Sequence, residues 1–152
     1  MRTSAVSSRI GGADVYLLDT DVIGEIRKGP KANPGARELF AKVGREGTDL
    51  YLSAVTIGEP RQGVERIRHR GDTAQARRRE RWLGTVSATC SHAILPFDEG
   101  CAHVWGRLRV PNAENPLDRQ IAATALIHDI QVVTRNTARY APTGVRLLNP
   151  YS

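Results

Sequence analysis

The stretch LLDTDV, residues 17–22, decides how the chain is read. An apolar run from Val15 to Leu18 stops at Asp19, and Thr20 separates that acid from Asp21. A continuous apolar run bounded by polar residues predicts a short buried strand. Two acids at its end serve either as caps for the next helix or as the start of a site.

Outward from this point, strand and helix signals alternate. Val22–Lys28 reads as a short helical piece stopped by Gly29-Pro30. A helix is expected from about Pro34, with Leu39, Phe40 and Val43 on one side and Gly44 as its end. Leu50–Ser53 is a second strand, and Thr56 to about Arg70 a helix with Val64 and Ile67 inward. Gly71-Asp72 breaks it, and an arginine-rich helix follows from Asp72 to Ser87. Ala93–Leu95 is a third strand, and Asp98 caps a helix carrying Val104, Trp105 and Leu108 on its apolar side. After the PNAENP loop, Leu117–His128 is helical, with Ile121, Ala122, Ala125 and Leu126 at helical spacing. Val132-Val133-Thr134 is a fourth strand and Val145–Leu148 a fifth. Such alternation predicts an α/β fold with a mostly parallel sheet of four to five strands flanked by helices.

The totals bound the classes. A chain of 152 residues is one domain's worth. Residues 1–14 read as a flexible N-terminal tail and residues 15–152 as the domain. No apolar run approaches the ~20 residues of a membrane helix, and residues 1–14 carry no signal-peptide h-region, so a cytoplasmic location is expected. Cys90 and Cys101 make neither a disulfide framework nor a four-ligand zinc site, and His69, His92, His103 and His128 form no ligand pair. The 22 basic against 16 acidic residues give +6 and suggest a polyanionic partner. Nearly all the basic residues are arginine, which suits phosphate geometry. The densest patch runs from Glu65 to Trp82, and a solvated helical face would explain it equally well.

Each acid has a plain structural reading. Asp19 and Thr20 suit a helix cap, Thr56 and Glu59 a capping box, and Asn115-Pro116-Leu117-Asp118 an N-cap, a first-turn proline and a dipole-favoured acid. Taken together they point elsewhere. In open α/β sheets, ligands bind at the carboxyl ends of the strands. Asp19 follows strand one, Glu59 lies beyond strand two, Asp118 begins a helix and Asn136 follows strand four. Carboxylates that close are costly without a cation, and an all-oxygen set suits Mg²⁺ or Mn²⁺. An acidic pocket within a basic protein is the layout of a metal nuclease, where arginines hold phosphates and acids hold the metal.

The segments LLDTDVI, YLSAVTIGE, LPFDE, DRQIAATALIHDIQVVTRN and TGVRLLNPY, in this order, resemble the PIN-domain ribonucleases, specifically the VapC toxins of bacterial toxin–antitoxin systems. The resemblance runs from about Val15 to Tyr151. It implies a Rossmann-like PIN fold, Mg²⁺- or Mn²⁺-dependent cleavage of RNA, a homodimer (a heterotetramer or larger with its antitoxin) and a VapB-type antitoxin partner. It makes Asp19, Glu59 and Asp118 the family's three acids and Asn136 its fourth site position, with Asp19 and Asp118 as metal ligands. Thr20 and Thr134 would orient a carboxylate or water. Asp98 stands where the family is often acidic, although it also reads as a cap. Arg135 and the arginines of the 66–81 segment, Arg77, Arg78 and Arg79 among them, are candidates for phosphate contact. The arginines of the 66–81 segment would equally suit an acidic antitoxin segment or a dimer mate.

Three departures bear on this reading. Asp21 stands where the family usually has asparagine, and Asn136 replaces a possible carboxylate, which would weaken a second metal. Pro60 follows Glu59 where leucine is usual, and a helix restarting at Pro60 would re-aim Glu59. The alternatives are a PIN-like RNA-binding module without catalysis and an α/β protein whose acids only cap helices. A phospho-receiver domain needs a lysine after its last strand, and this chain has none after Lys42.

Overall fold

The computed structural model describes residues 15–90 and 93–152. The expected tail, residues 1–14, and His92 lie outside the described residues. Five strands form one parallel sheet: β1 (Val15–Leu18), β2 (Asp49–Ser53), β3 (Ile94–Leu95), β4 (Gln131–Val133) and β5 (Leu147–Leu148), in the order β3-β2-β1-β4-β5. Its helices are α1 (Thr20–Ile26), α2 (Pro34–Glu46), α3 (Ala54–His69), α4 (Thr73–Thr89), α5 (Glu99–Leu108), α6 (Pro116–His128) and α7 (Thr137–Tyr140). No helix is long and apolar enough to cross a membrane among the described residues.

The apolar run of β1 is explained by its central place. Successive strand residues point to opposite faces, so Val15 and Leu17 enter one core and Tyr16 and Leu18 the other. The first core joins Ile121, Ala122 and Ala125 of α6 to Tyr51, Leu95, Val132 and Tyr140. The second joins Val22 and Ile23 of α1 to Leu39 and Val43 of α2, with Trp82 of α4 packed against it. A strand covered on both faces has no polar side to show. Val64, Ile67 and Ala76 form a separate cluster that closes α3 on α4.

Several local expectations change. α2 does not end at Gly44; it continues to Glu46, where Gly47 at φ 65° takes the left-handed cap that glycine adopts without a Cβ clash. The cap of α3 is Ser53, whose hydroxyl accepts from the Val55 N–H at 3.1 Å, so Thr56 and Glu59 form no capping box. Thr56 is fully buried instead. Nor does the helix restart at Pro60: α3 runs unbroken through it. Asn115 does precede α6, but in the left-handed region at φ 51° and without a side-chain cap. The loop before α6 is tied down from inside by buried Arg119, which donates to the carbonyls of Glu114 (2.9 Å) and Leu108 (3.2 Å).

The sheet order places the site. The chain builds β2 and β3 on one side of β1, then returns to lay β4 on the other. Where the order reverses, the connections leave in opposite directions and open a crevice at the carboxyl ends. Here that crevice lies between Asp19 after β1 and Thr134 after β4.

Candidate active site

Asp19 is only 4% exposed. Its Oδ1 accepts from the Thr20 N–H (2.8 Å) and its Oδ2 from the Thr134 hydroxyl (2.7 Å), while its own N–H donates to the Val133 carbonyl (2.9 Å). The carboxylate is thus held from both flanking strand ends. It also occupies the N-cap position of α1, so the capping reading holds alongside the site reading. Thr134 does more than orient Asp19: its hydroxyl accepts from the Asn136 N–H at 2.9 Å and so shapes the turn after β4.

Glu59 arrives from α3. Its Oε1 accepts from the Thr20 hydroxyl at 2.6 Å, which brings it to the residue next to Asp19. Pro60 therefore has not swung it away. Asp118, in the first turn of α6, is the third acid. Burial, reinforced by the charge of Asp19, pushes its carboxyl up to about 6, and the nearby Arg139 opposes the shift. Arg139 Nη1 lies 3.7 Å from Asp118 Oδ2. Asp21 behaves alike: burial first, then the Asp19 charge, raise it to about 6. Its Oδ2 accepts from the Arg135 N–H (3.1 Å) and from Asn136 Nδ2 (3.4 Å), whereas its buried Oδ1 has no hydrogen-bond partner among the described residues.

Other predicted residues fall elsewhere. Asp98 caps α5, accepting from the Cys101 N–H at 3.1 Å, and those hydrogen bonds hold its carboxyl low. The neighbouring charge it feels is His128, not the acids around Asp19. Arg77 and Arg78 are exposed on α4, while Arg79 is half-buried facing the site side. Arg135 lays its guanidinium 4.9 Å from the centre of the Tyr151 ring, and the Tyr151 hydroxyl donates to the Asp21 carbonyl at 3.3 Å. Cys101 is buried, and burial raises the Cys90 and Cys101 thiols, as expected of inert cysteines.

Two residues at the site were not anticipated. Tyr140 is fully buried, and its hydroxyl has no hydrogen-bond partner among the described residues. Burial and the charges of Asp19, Asp118 and Glu59 push it far above the ordinary phenol range. Arg139 is the other. The available signal was position: both lie within one turn of Asn136.

Among the described residues no three imidazole, thiol or carboxylate groups form a ready metal cage. The donor chemistry nevertheless fits a hard cation. The set is all oxygen, burial reinforced by the charge of Asp19 raises two of its acids, and Asp21 keeps an orphaned buried oxygen.

Comparison with known proteins identifies the fold. The PIN domain model matches residues 16–141. The VapC ribonuclease Y4jK of Sinorhizobium fredii is 31% identical over 146 residues, covering 90% of this chain and 98% of that protein. Toxin FitB of Neisseria gonorrhoeae is 32% identical over 142 residues, covering 90% and 99%. The crystal structure of FitAcB from Neisseria gonorrhoeae superposes with a TM-score of 0.75 at 31% identity, over 90% of this chain and 98% of that one.

Proposed function

The chain belongs to the PIN domain family, and on that premise we propose that it is the toxin of a VapBC-type toxin–antitoxin system, a metal-dependent endoribonuclease. The observation that carries the reading is the convergence of Asp19, Asp21, Glu59 and Asp118 on the crevice between β1 and β4, where burial and the charge of Asp19 disfavour ionised Asp21 and Asp118 and Arg139 offsets Asp118 in part. Asp19 and Asp118 are the residues that would hold Mg²⁺ or Mn²⁺ directly, with Glu59 and Asn136 beside them. A cation bound there would neutralise the phosphodiester and acidify a bound water. The chain's own groups do the positioning. Thr134 and the Thr20 N–H fix Asp19. Thr20 holds Glu59 by Oε1 and leaves Oε2 to accept a proton from the attacking water. Hydrolysis then forms a new P–O bond to that water and breaks the bond to the leaving ribose oxygen, which takes up a proton from solvent to leave as a hydroxyl.

The relatives extend the proposal to partners. A FitAB complex and several VapBC complexes are among the structures with this fold, so a VapB-type antitoxin, a homodimeric toxin and a cytoplasmic setting follow as proposals. Transfer RNA is the first substrate class to test.

The test is incubation of the antitoxin-free chain with total RNA in Mg²⁺ or Mn²⁺, in EDTA, and as Asp118→Asn. Discrete products that vanish in the last two arms support the reading. Intact RNA in every arm, with folded and metal-loaded protein, would replace it with an RNA-binding module that does not cleave.

A further inference from the structure

Tyr140 is the largest of the fully buried side chains among the described residues. Its ring belongs to the core that holds Leu17, Ile121, Ala122 and Val132. Those residues underlie the site. Leu17 stands two positions before Asp19 on β1, and Val132 two before Thr134 on β4. On α6, Asp118, Ile121, Ala122 and Ala125 share one helical face, so Asp118 ends the face that enters this core. Arg139, the neighbour of Tyr140 in the chain, pairs with Asp118. The Tyr140 carbonyl accepts from the Thr143 hydroxyl at 2.6 Å, which fixes the backbone there.

This placement sets a hydroxyl beneath the acids, with no hydrogen-bond partner among the described residues. It stands in the field of Asp19, Asp118 and Glu59, and after burial Asp19 acts on it most strongly. A buried hydroxyl without a partner has given up its hydrogen bonds to water and gained nothing in return. Phenylalanine would fill the same space without that cost. Apart from Tyr51, the other side chains of the core are aliphatic and offer no acceptor.

Asp19 has room for a further donor. The two oxygens of a carboxylate offer about four acceptor directions. The Thr20 N–H takes one on Oδ1 and the Thr134 hydroxyl one on Oδ2. The hydroxyls already at work here are neutral: Thr20 serves Glu59 and Thr134 serves Asp19. A neutral donor orients a carboxylate and leaves its charge for a cation, whereas a lysine or arginine in that place would compete with one. We infer that Tyr140 is a positioning residue, whose hydroxyl donates to the Asp19 carboxylate from the core side and so fixes the face that Asp19 presents to a bound cation. This rests on the metal-dependent reading above. Being fully buried, Tyr140 acts through Asp19 and touches no substrate.

The experiment compares the full chain, free of antitoxin, with Y140F and with Y51F, which removes a hydroxyl from the same core. Mn²⁺ affinity is measured by calorimetry, the rise in Tm on adding Mn²⁺ by thermal unfolding, and cleavage with total RNA at saturating Mn²⁺. Y140F is expected to bind Mn²⁺ about tenfold more weakly, the scale for losing a donor to a metal ligand. Its Tm should rise less than that of the wild type at the same Mn²⁺ concentration. Y51F should change the affinity by less than about threefold. Equal Mn²⁺ affinity in Y140F and the wild type would overturn the inference and leave Tyr140 a packing residue. Equal losses in Y140F and Y51F would overturn it as well, since they mark a general loosening of the core. A wild type that takes up no Mn²⁺ would remove the inference together with the metal-dependent reading. A wild type that binds Mn²⁺ and loses affinity selectively in Y140F, yet leaves RNA intact, would uphold Tyr140 and remove only the nuclease reading.

Discussion

At the residue scale, Thr134 ties the two halves of the site together. Its hydroxyl donates to Asp19 and accepts from the Asn136 N–H. Thr134→Val leaves both partners unsatisfied in a buried place, so a loss of about 1–3 kcal/mol in denaturant unfolding is expected, with Thr134→Ser retaining most of it. Asp21 and Asp118 give a second prediction. Their carboxyls are raised from the ordinary 3.8 to about 6. Between those values the folded chain binds more protons than the unfolded one, so stability falls as pH rises. Without divalent cations, Tm should be higher near pH 5 than near pH 7.5, and D21N/D118N should flatten the difference. Mg²⁺ should raise Tm more at the higher pH, because it binds the ionised carboxylates. A pH-independent Tm in the metal-free wild type would refute the account.

At the element scale, α3 carries an internal conflict. Pro60 has no N–H to donate to the Thr56 carbonyl, and the buried Thr56 hydroxyl also lacks a partner among the described residues. The helix still continues, because Val64 and Ile67 anchor its far end against Ala76 of α4. Pro60→Ala should therefore stabilise the chain by about 1–3 kcal/mol, read from the thermal midpoint. Glu59 stays aimed by Thr20 rather than by the proline, so Thr20→Val is the change expected to lower cleavage severalfold. Its check is a cleavage-rate comparison with Thr20→Ser, which keeps the hydroxyl.

At the scale of the whole molecule, the C-terminal segment closes the ring of contacts around the site. Ser152 meets Asn33 and Gly35 at the start of α2, and Tyr151 reaches the Asp21 carbonyl. Gly35 packs directly against the Pro150 carbonyl, where a Cβ would collide with backbone. Gly35→Ala should push the segment off α2 and cost about 1–3 kcal/mol. The checks are a lower Tm and faster amide exchange over residues 149–152. An unchanged midpoint would mean that the tail adds nothing to stability.

The strands and most helices were legible in the sequence, because a buried strand and a helix with one apolar face leave different periodicities. Asp19 was legible because an apolar strand that stops at an acid marks a strand end, and Glu59 and Asp118, which lie within α3 and α6, were singled out because five ordered segments resemble one family. Helix ends were less so. Gly44 and Gly47 look alike as stops until packing decides which takes the left-handed cap, and Ser53 and Thr56 are equally good caps on paper. The unforeseen contacts were set by tertiary structure alone. Tyr140 comes within the field of the acids and Arg139 pairs with Asp118, because β4 returns beside β1. Sequence spacing carries the chemistry of each residue and its local conformation. Which distant charges meet depends on how buried surfaces pair, and only the folded chain decides that.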